Sequence, residues 1–307
     1  MRIAVLFNDR LGIPALQQLV QGGLVVAAGT SDRSPEMIAL MQQMSVQGRV
    51  PSTVFPKKGL AEALSAWLAQ HKPDVVLVKT FPYKIPASVL NMPKHGFINF
   101  HYAPLPAFRG SNPLFWMLKE QVAMGGVALH RMDENFDTGP VLLQKQVAIS
   151  PGDTFGMCST KLAYAGLELT STLLQSLQVG TLQPVPQENE KSRWYGRPSA
   201  ADMSINWNNM TALQVIALAN ACNPWLKGAV TKGNGWTFGI TNASVSTADI
   251  PESILPGVIL ELNSDELRIA CAGNTAICVN IIYCEEGFYP GQHLAAFGFK
   301  KGFRLGN

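Results

Sequence analysis

The sequence predicts a doubly wound α/β domain followed by a small β-barrel domain. Over the first 150 residues, short β-branched apolar runs alternate with amphipathic segments, which is typical of a sheet covered by helices on both faces. After residue 205 the pattern changes to brief apolar runs separated by Gly, Asn and Pro, as in small barrels. Three prolines and mixed charge between 181 and 204 indicate a linker, which makes the domains 1–180 and 205–307.

The predicted strands of the first domain are almost continuously apolar, as expected of strands buried on both faces. They are 2–7, 24–28, 54–55, 75–79 and 97–101, with two more at 126–132 and 141–148. The predicted helices are 14–21, 35–47, 60–70, 113–121 and 154–179. The strict alternation indicates a Rossmann-like parallel sheet with right-handed crossovers. In such sheets the reactive crevice lies off the carboxyl ends of the strands.

The second domain is expected to be a small, OB-like β-barrel. We predict a helix at 211–220 and strands that include 257–262, 266–270 and 275–282. Trp207 and Trp225 are expected to anchor its core rather than to serve as stacking platforms.

Composition indicates a soluble globular protein of the cytoplasm. The chain has 307 residues, 47% of them apolar, yet its apolar runs are far shorter than the roughly 20 residues of a membrane helix. The N-terminus lacks the features of a secretory signal. Five cysteines with no C-x-x-C pair argue against a disulfide framework and a zinc site. No G-x-G-x-x-G follows the first strand, which argues against dinucleotide binding.

The charge distribution disfavours nucleic acid as a partner. Residues 201–307 hold six Lys or Arg against eight Asp or Glu, a net charge of −2, which leaves +5 for residues 1–200. A C-terminal domain that gripped nucleic-acid phosphates should be basic.

Asn99 and His101 are the first candidates for chemistry. They flank Phe100 at the end of a predicted strand, so both side chains lie on one face while Phe100 points to the other. Pro104 and Pro106 follow and end the strand, which places the pair at its carboxyl edge. Taken alone, the Asn-x-His pattern is a weak signal and favours a structural histidine.

Two further segments bring polar groups towards this edge. The loop 133–140 follows the strand 126–132, and its Asx and Gly residues allow a tight reversal. Arg109 and Gly110 lie shortly before the predicted helix start at Pro113. Arg109 could hold a substrate anion or form an ordinary surface ion pair, and the loop could be an ordinary acidic hairpin.

In their order and spacing, the stretches NFHYAPLPAFRGSNPLFWML and GGVALHRMDENFDTGPVLLQ resemble the folate-dependent formyltransferase family. The shared pattern is Asn-x-His, a Pro-rich turn, Arg-Gly-x-x-Pro, a Trp-bearing helix and Asp-Thr-Gly. Ile205-Asn206-Trp207, Asn223-Pro224-Trp225 and the closing Lys-Gly-Phe-Arg-Leu-Gly are similar to the C-terminal domain of methionyl-tRNA formyltransferases. The resemblance implies transfer of the formyl group of 10-formyltetrahydrofolate to an amine, with no metal.

The resemblance also implies a catalytic trio of Asn99, His101 and Asp137. Asn99 and His101 would donate hydrogen bonds to the formyl oxygen as negative charge develops there. Asp137 would orient or charge His101 and accept a proton from the amine, and burial is expected to tune its pKa towards that task.

Two further sets of residues are implied around this trio. The residues expected to line the pterin pocket, partly through backbone groups, are Phe81, Ile85, Asp133 and Phe136. The residues expected to face the acceptor are Arg10, Gly12, Arg109 and Gly110.

Departures from the family pattern bear on the acceptor. Ala103 stands where the family usually has a Ser, and residues 30–37 lack the Gly/Lys/Arg-rich loop that methionyl-tRNA formyltransferases tend to carry. With the acidic C-terminal domain, this favours a small-molecule amine: a nucleotide-linked amino sugar, or an amino acid of a peptide or siderophore pathway. The alternatives are a methionyl-tRNA formyltransferase, a 10-formyltetrahydrofolate hydrolase and a catalytically silent folate-binding protein. Neither a membrane partner nor a particular oligomeric state is indicated.

Overall fold

The computed structural model describes residues 1–47, 50–224, 226–285 and 287–306. Two compact units are present. The first comprises Met1–Pro113, Met124–Ala148 and Ser159–Tyr195, and the second comprises Leu114–Ala123, Ile149–Cys158 and the described residues from Gly196 onward. Each unit therefore draws on discontinuous stretches of sequence, and the domain limits 1–180, 181–204 and 205–307 stay a prediction.

All the predicted strands and helices of the first 180 residues are present, together with a short helix at Ala87–Leu90 and a short strand at Arg109–Gly110 that were not predicted. The strands are β1 (Ile3–Phe7), β2 (Val25–Ser31), β3 (Ser52–Phe55), β4 (Val75–Lys79), β5 (Phe97–His101), β6 (Arg109–Gly110), β7 (Met124–Arg131) and β8 (Val141–Ala148). The helices are α1 (Ile13–Gln21), α2 (Pro35–Val46), α3 (Leu60–His71), α4 (Ala87–Leu90), α5 (Pro113–Lys119) and α6 (Phe155–Val179). In the part of the chain that the structure describes, none of the helices is long and apolar enough to cross a membrane.

The seven-stranded sheet of the first unit has the order β3-β2-β1-β4-β5-β7-β8. Strands β1 to β5 pair in parallel, which confirms the Rossmann-like class. The last two strands differ from the wholly parallel sheet that was predicted, because β7 runs antiparallel to β5, and β8 runs antiparallel to β7. A short loop joins β7 to β8 without a helix, and such a connection can only reverse the chain.

The second unit contains a curled antiparallel sheet, as the barrel prediction required. Strand β9 (Trp194–Tyr195) still belongs to the first unit. The elements of the second unit that follow it are α7 (Ala212–Cys222), β10 (Ala229–Gly233), β11 (Trp236–Val245), β12 (Ile259–Leu262), β13 (Leu267–Cys271), β14 (Thr275–Cys284) and β15 (Gly287–Pro290). The strand order is β10-β11-β14-β13-β12, with β15 on β14. Trp207 is buried and its indole N–H donates to Thr231 Oγ1 at 2.9 Å, which confirms a core anchor. Trp225 lies outside the described residues.

Lys79, at the carboxyl end of β4, is fully buried in the first unit. Its Nζ lies 3.1 Å from the centroid of the Phe100 ring and 3.3 Å from Thr170 Oγ1. Burial lowers the pKa of this amine well below its ordinary value of 10.5. Folding therefore favours the neutral form of the Lys79 amine, and this shift in its pKa lowers the stability of the folded protein at neutral pH.

Replacing Lys79 with Met should raise the free energy of unfolding at neutral pH, because Met keeps the length of the side chain without the proton linkage. Between the folded pKa and pH 10.5 only the unfolded chain binds this proton. The free energy of unfolding of the wild type therefore rises with pH over this range, by about 1.4 kcal/mol per pH unit. Urea unfolding of both proteins from pH 7 to pH 10 should show a stability gain that shrinks as pH rises. A gain that is independent of pH would contradict the linkage.

Candidate active site

Strand β5 places Asn99 and His101 on one face of the sheet, at the carboxyl end of the strand. It lies between β4 and β7, and its alternation turns both side chains to the face opposite Phe100. His101 is buried with 6% of its surface exposed, whereas Asn99 is only half-buried. Asn99 is therefore the more accessible of the two groups.

Asp137 comes to the same point from the loop between β7 and β8. Its φ of +54° lies in the left-handed region, which Asp tolerates better than most residues. Its Oδ1 lies 3.4 Å from Asn99 Nδ2 and 3.6 Å from His101 Nδ1. Its Oδ2 accepts a hydrogen bond from the backbone N–H of Gly110 at 2.9 Å. The carboxamide of Asn99 and the imidazole of His101 thus both face the same carboxylate oxygen of Asp137.

His130 completes the group, although it was not among the predicted site residues. It lies opposite Asn99 in the β5–β7 pair and is 1% exposed. Its Nδ1 lies 3.1 Å from the carbonyl oxygen of Arg131, and its Nε2 lies 3.0 Å from Asn99 Nδ2. Since a carbonyl only accepts, Nδ1 carries the proton and Nε2 accepts from the Asn99 amide. The only sequence signal was a histidine inside an apolar strand; the antiparallel register that sets it against Asn99 is not visible in the sequence.

The environment of His101 favours the neutral imidazole. Its Nε2 donates to the carbonyl oxygen of Phe108, which directs the lone pair of Nδ1 towards Asp137. Burial lowers the pKa of His101 below 6.5, and this outweighs the opposing effects of Asp137 and of the Phe108 carbonyl. At neutral pH the imidazole can therefore take up a proton at Nδ1.

Asp137 departs from the expected direction. Burial pushes its pKa upward, but His101, His130 and the N–H of Gly110 together lower it to about 2. The prediction that burial tunes this carboxyl towards accepting a proton is wrong in sign, because its polar contacts outweigh desolvation. Asp137 is a permanent anion beside the imidazole of His101.

The residues predicted for the pterin pocket divide into buried and accessible ones. The Ile85 side chain is 1% exposed inside the hydrophobic core, and Phe81 packs against that core. Ile85 can therefore meet a ligand only through its backbone. Phe136 is 51% exposed, with its ring centroid 6.4 Å from that of Trp194 and 5.9 Å from Lys84 Nζ.

Asp133 shapes the loop that carries Asp137. Its carboxylate accepts hydrogen bonds from the Thr138 hydroxyl at 2.7 and 2.9 Å and from the backbone N–H of Asn135 at 3.0 Å. These contacts lie within the loop, so they fix its conformation and do not involve Asn99, His101 or the carboxylate of Asp137. Within the described ranges, no group of three or more His, Cys, Asp or Glu side chains is placed to hold a metal ion.

Of the residues predicted to face the acceptor, Arg10 and Gly12 have local explanations in the structure. Arg10 is exposed and pairs with Glu36, Nη2 to Oε1, at 2.7 Å. A Cβ at Gly12 would lie 3.1 Å from Lys79 Cβ and 3.2 Å from Phe7 Cβ. Close packing is therefore sufficient reason for this glycine.

Arg109 and Gly110 are held by the segment that was predicted to be a linker. Strand β6 pairs in parallel with β9. Arg109 is 7% exposed, and its guanidinium donates to the side-chain oxygens of Gln187 and Asn189 at 2.9 to 3.1 Å. The Arg109 side chain is thus buried and bound to neutral side chains, so it neither forms the surface ion pair considered above nor points into solvent. The stretch 187–195 belongs structurally to the site.

Two family models match the sequence. The model described as "Formyl transferase" covers residues 15–174, and "Formyl transferase, C-terminal domain" covers residues 198–287. A curated relative, the methionyl-tRNA formyltransferase of Lachnospira eligens, is 26% identical over 317 residues and is aligned over 100% of both chains.

Solved structures with the same fold include an N-formyltransferase from Helicobacter canadensis in complex with folinic acid and dTDP-3-aminofucose. It superposes with a TM-score of 0.67 at 16% identity, over 91% of this chain and 98% of that one. HypX from Aquifex aeolicus in complex with tetrahydrofolic acid gives a TM-score of 0.66 at 17% identity, over 100% of this chain and 51% of that one. These likenesses establish the fold. Because the first family model alone spans more than half of the sequence, this protein belongs to the formyl transferase family.

Proposed function

We propose that the protein transfers the formyl group of 10-formyltetrahydrofolate to the amino group of a small molecule. The observation that carries this proposal is that the Asn99 amide and the His101 imidazole both lie against Oδ1 of Asp137, where the strands end. Such a site offers a hydrogen-bond donor, a neutral base and a fixed anion, which are the groups that acyl transfer to an amine requires.

The surface beside Asp137 fits a folate. The half-exposed ring of Phe136 and the ring of Trp194, tilted by 60° to each other, form an aromatic face. The ammonium of Lys84 lies over the Phe136 ring, 5.9 Å from its centroid. Planar rings with an anionic tail suit such a face. The Helicobacter canadensis and Aquifex aeolicus structures contain folinic acid and tetrahydrofolic acid. Phe81, Asp133, Phe136 and the backbone of Ile85 would hold the folate, which supplies the formyl group when bound.

The trio divides the work of the transfer as follows. Asn99 Nδ2 uses one N–H on His130 Nε2, and its second N–H makes only the long 3.4 Å contact to Asp137, so that it can turn to the formyl oxygen. His101 Nδ1 takes the proton from the attacking amine, since the Phe108 carbonyl occupies Nε2. It returns this proton to the folate nitrogen when the bond between that nitrogen and the formyl carbon breaks, so that tetrahydrofolate is released. Asp137 stays ionised and stabilises the imidazolium that results. This modifies the expectation that His101 donates to the formyl oxygen and that Asp137 accepts the proton.

A small acceptor agrees with the charges of the C-terminal domain. Two of its cations are engaged within it: Lys301 pairs with Glu261 at 2.7 Å, and Arg304 donates to Asn208 Oδ1 at 2.8 Å. With the net charge of −2 over residues 201–307, little positive charge is left to hold phosphates. A nucleotide-linked amino sugar or an amino acid is therefore the proposed acceptor class.

A second candidate is formylation of methionyl-tRNA. The observation that favours it is the Lachnospira eligens relative, whose alignment extends over the whole of both chains and so includes the C-terminal domain. The C-terminal family model, which covers residues 198–287, agrees with this alignment.

Formyl transfer with three acceptor classes separates these functions. Purified protein and 10-formyltetrahydrofolate are incubated with nucleotide-linked amino sugars, with free amino acids, or with methionyl-tRNA, and tetrahydrofolate release is followed. We expect acceptor-dependent release with one of the two small-molecule classes and no salt-sensitive binding of the tRNA.

Each other result has a definite meaning. Turnover with methionyl-tRNA alone, together with binding that weakens steeply with salt, would overturn the small-acceptor proposal. Formate release that no amine alters would identify a hydrolase. Absence of any turnover, equal in the wild type and in Asn99→Ala, would indicate a silent folate-binding protein.

A further inference from the structure

We propose that Gln187 is a positioning residue that holds Asp137 against His101. The inference rests on the proposed function of the trio. Gln187 lies in the stretch between the two matched family models, which end at residue 174 and begin at residue 198. It therefore has no role assigned by the sequence pattern.

The Gln187 amide bridges two parts of the site. Its Oε1 accepts from Arg109 Nε at 3.0 Å and from Arg109 Nη2 at 2.9 Å. Its Nε2 donates to the backbone carbonyl oxygens of Asp137 at 3.0 Å and Gly139 at 2.7 Å. All four hydrogen bonds have good lengths, so the hydrogen-bonding capacity of this amide is fully used.

The charge of Arg109 fixes the direction of the Gln187 amide. A buried guanidinium has only donors, so it requires oxygen atoms around it. Oε1 must then face Arg109, and Nε2 must face the carbonyls of the Asp137 loop. Glutamine is suited to this position because it presents an acceptor on one side and two donors on the other.

The contacts form a closed ring around Asp137. The residue after Arg109 is Gly110, whose N–H donates to Asp137 Oδ2, while Gln187 joins Arg109 to the Asp137 carbonyl oxygen. Asp137 is thereby held by both its backbone and its carboxylate. Its φ of +54° is a backbone state that surrounding contacts must maintain. Without the Nε2 donors, the loop can relax and carry Oδ1 away from His101 Nδ1.

Two substitutions test this role. Gln187→Met removes all four hydrogen bonds at similar length and adds no charge. Gln187→Glu keeps an acceptor for Arg109 but has no donor for the two carbonyls, so it tests the loop contact while the Arg109 contact is retained. The matched control is Gln18→Met, the same change at an exposed glutamine on α1.

The measurements are kcat, the KM for 10-formyltetrahydrofolate, and the pKa of His101 from the NMR titration of its ring protons. We expect both Gln187 variants to lose roughly 10- to 100-fold in kcat, because a displacement of about 1 Å at a reacting group can cost this much. The KM should change less than about threefold. In Gln187→Met the pKa of His101 should fall further below its wild-type value, since Asp137 is the group that raises it.

Unchanged kcat and an unchanged His101 pKa in folded Gln187→Met would overturn the role. So would an equal loss in Gln18→Met, or a normal kcat in Gln187→Glu. If Gln187→Met does not fold, the kcat of Gln187→Glu decides. If the wild type shows no formyl transfer, the proposed function fails, and the His101 pKa in Gln187→Met still shows whether Gln187 positions Asp137.

Discussion

Replacing Asp137 with Asn should lower kcat by roughly 10² to 10⁴-fold while the protein stays folded. Asn keeps the shape of the side chain and an oxygen for the N–H of Gly110, but it removes the anion 3.6 Å from His101 Nδ1. The imidazolium formed on proton transfer then lacks its counter-charge. The pKa of His101, already lowered by burial, should fall further, because the effect of Asp137 that raises it is gone.

Steady-state kinetics and an NMR titration of His101 check this result in parallel. Asp249→Asn makes the same chemical change at an exposed carboxylate of the second unit and should leave both quantities as in the wild type. A kcat within about threefold of the wild type, or an unchanged His101 pKa in Asp137→Asn, would refute the electrostatic role of Asp137.

Replacing Gly110 with Ala should destabilise the first unit by about 3 kcal/mol and abolish most of the activity. Its φ of +104° excludes ordinary side chains, and an added Cβ would lie 2.1 Å from the carbonyl oxygen of Tyr195. The backbone must therefore shift, which disrupts the β6–β9 pair and withdraws the N–H that binds Asp137.

Thermal unfolding and turnover of Gly110→Ala measure both consequences, with an expected fall in Tm of roughly 6 to 12 °C. Gly196→Ala is the matched control, because an added Cβ at Gly196 meets nothing within 4 Å. Equal thermal stability of the two variants would show that the close approach at Gly110 relaxes without cost.

Local features of the site were predictable from the sequence. Strands β4 and β5 have the bounds that were predicted, and the alternation in β5 correctly put Asn99 and His101 on one face. The sequence could not show that His130 joins them, since β7 was expected in a parallel sheet. Which residues of two strands face each other depends on strand direction and register, and a short apolar run specifies neither.

The electrostatics of Asp137 belong to the tertiary structure for a similar reason. The sequence suggests a buried carboxyl, and burial alone raises its pKa, but the contacts with His101, His130 and Gly110 reverse the direction. None of these partners is nearer than seven residues along the chain. The direction of the pKa shift depends on the distances from the carboxylate to these partners, and only the folded chain fixes those distances.

The sequence alone predicted the order of the longer helices and strands of the first unit, the face on which Asn99 and His101 lie, and the motif that identifies the family. Only the folded chain brings His130 against Asn99, Gln187 against the backbone of Asp137, and the stretch 187–195 against Arg109 and Gly110. The physical reason is range. Backbone alternation and turn preferences act between near neighbours, whereas these contacts join residues 31 to 85 positions apart through pairings that exist only once the chain has folded.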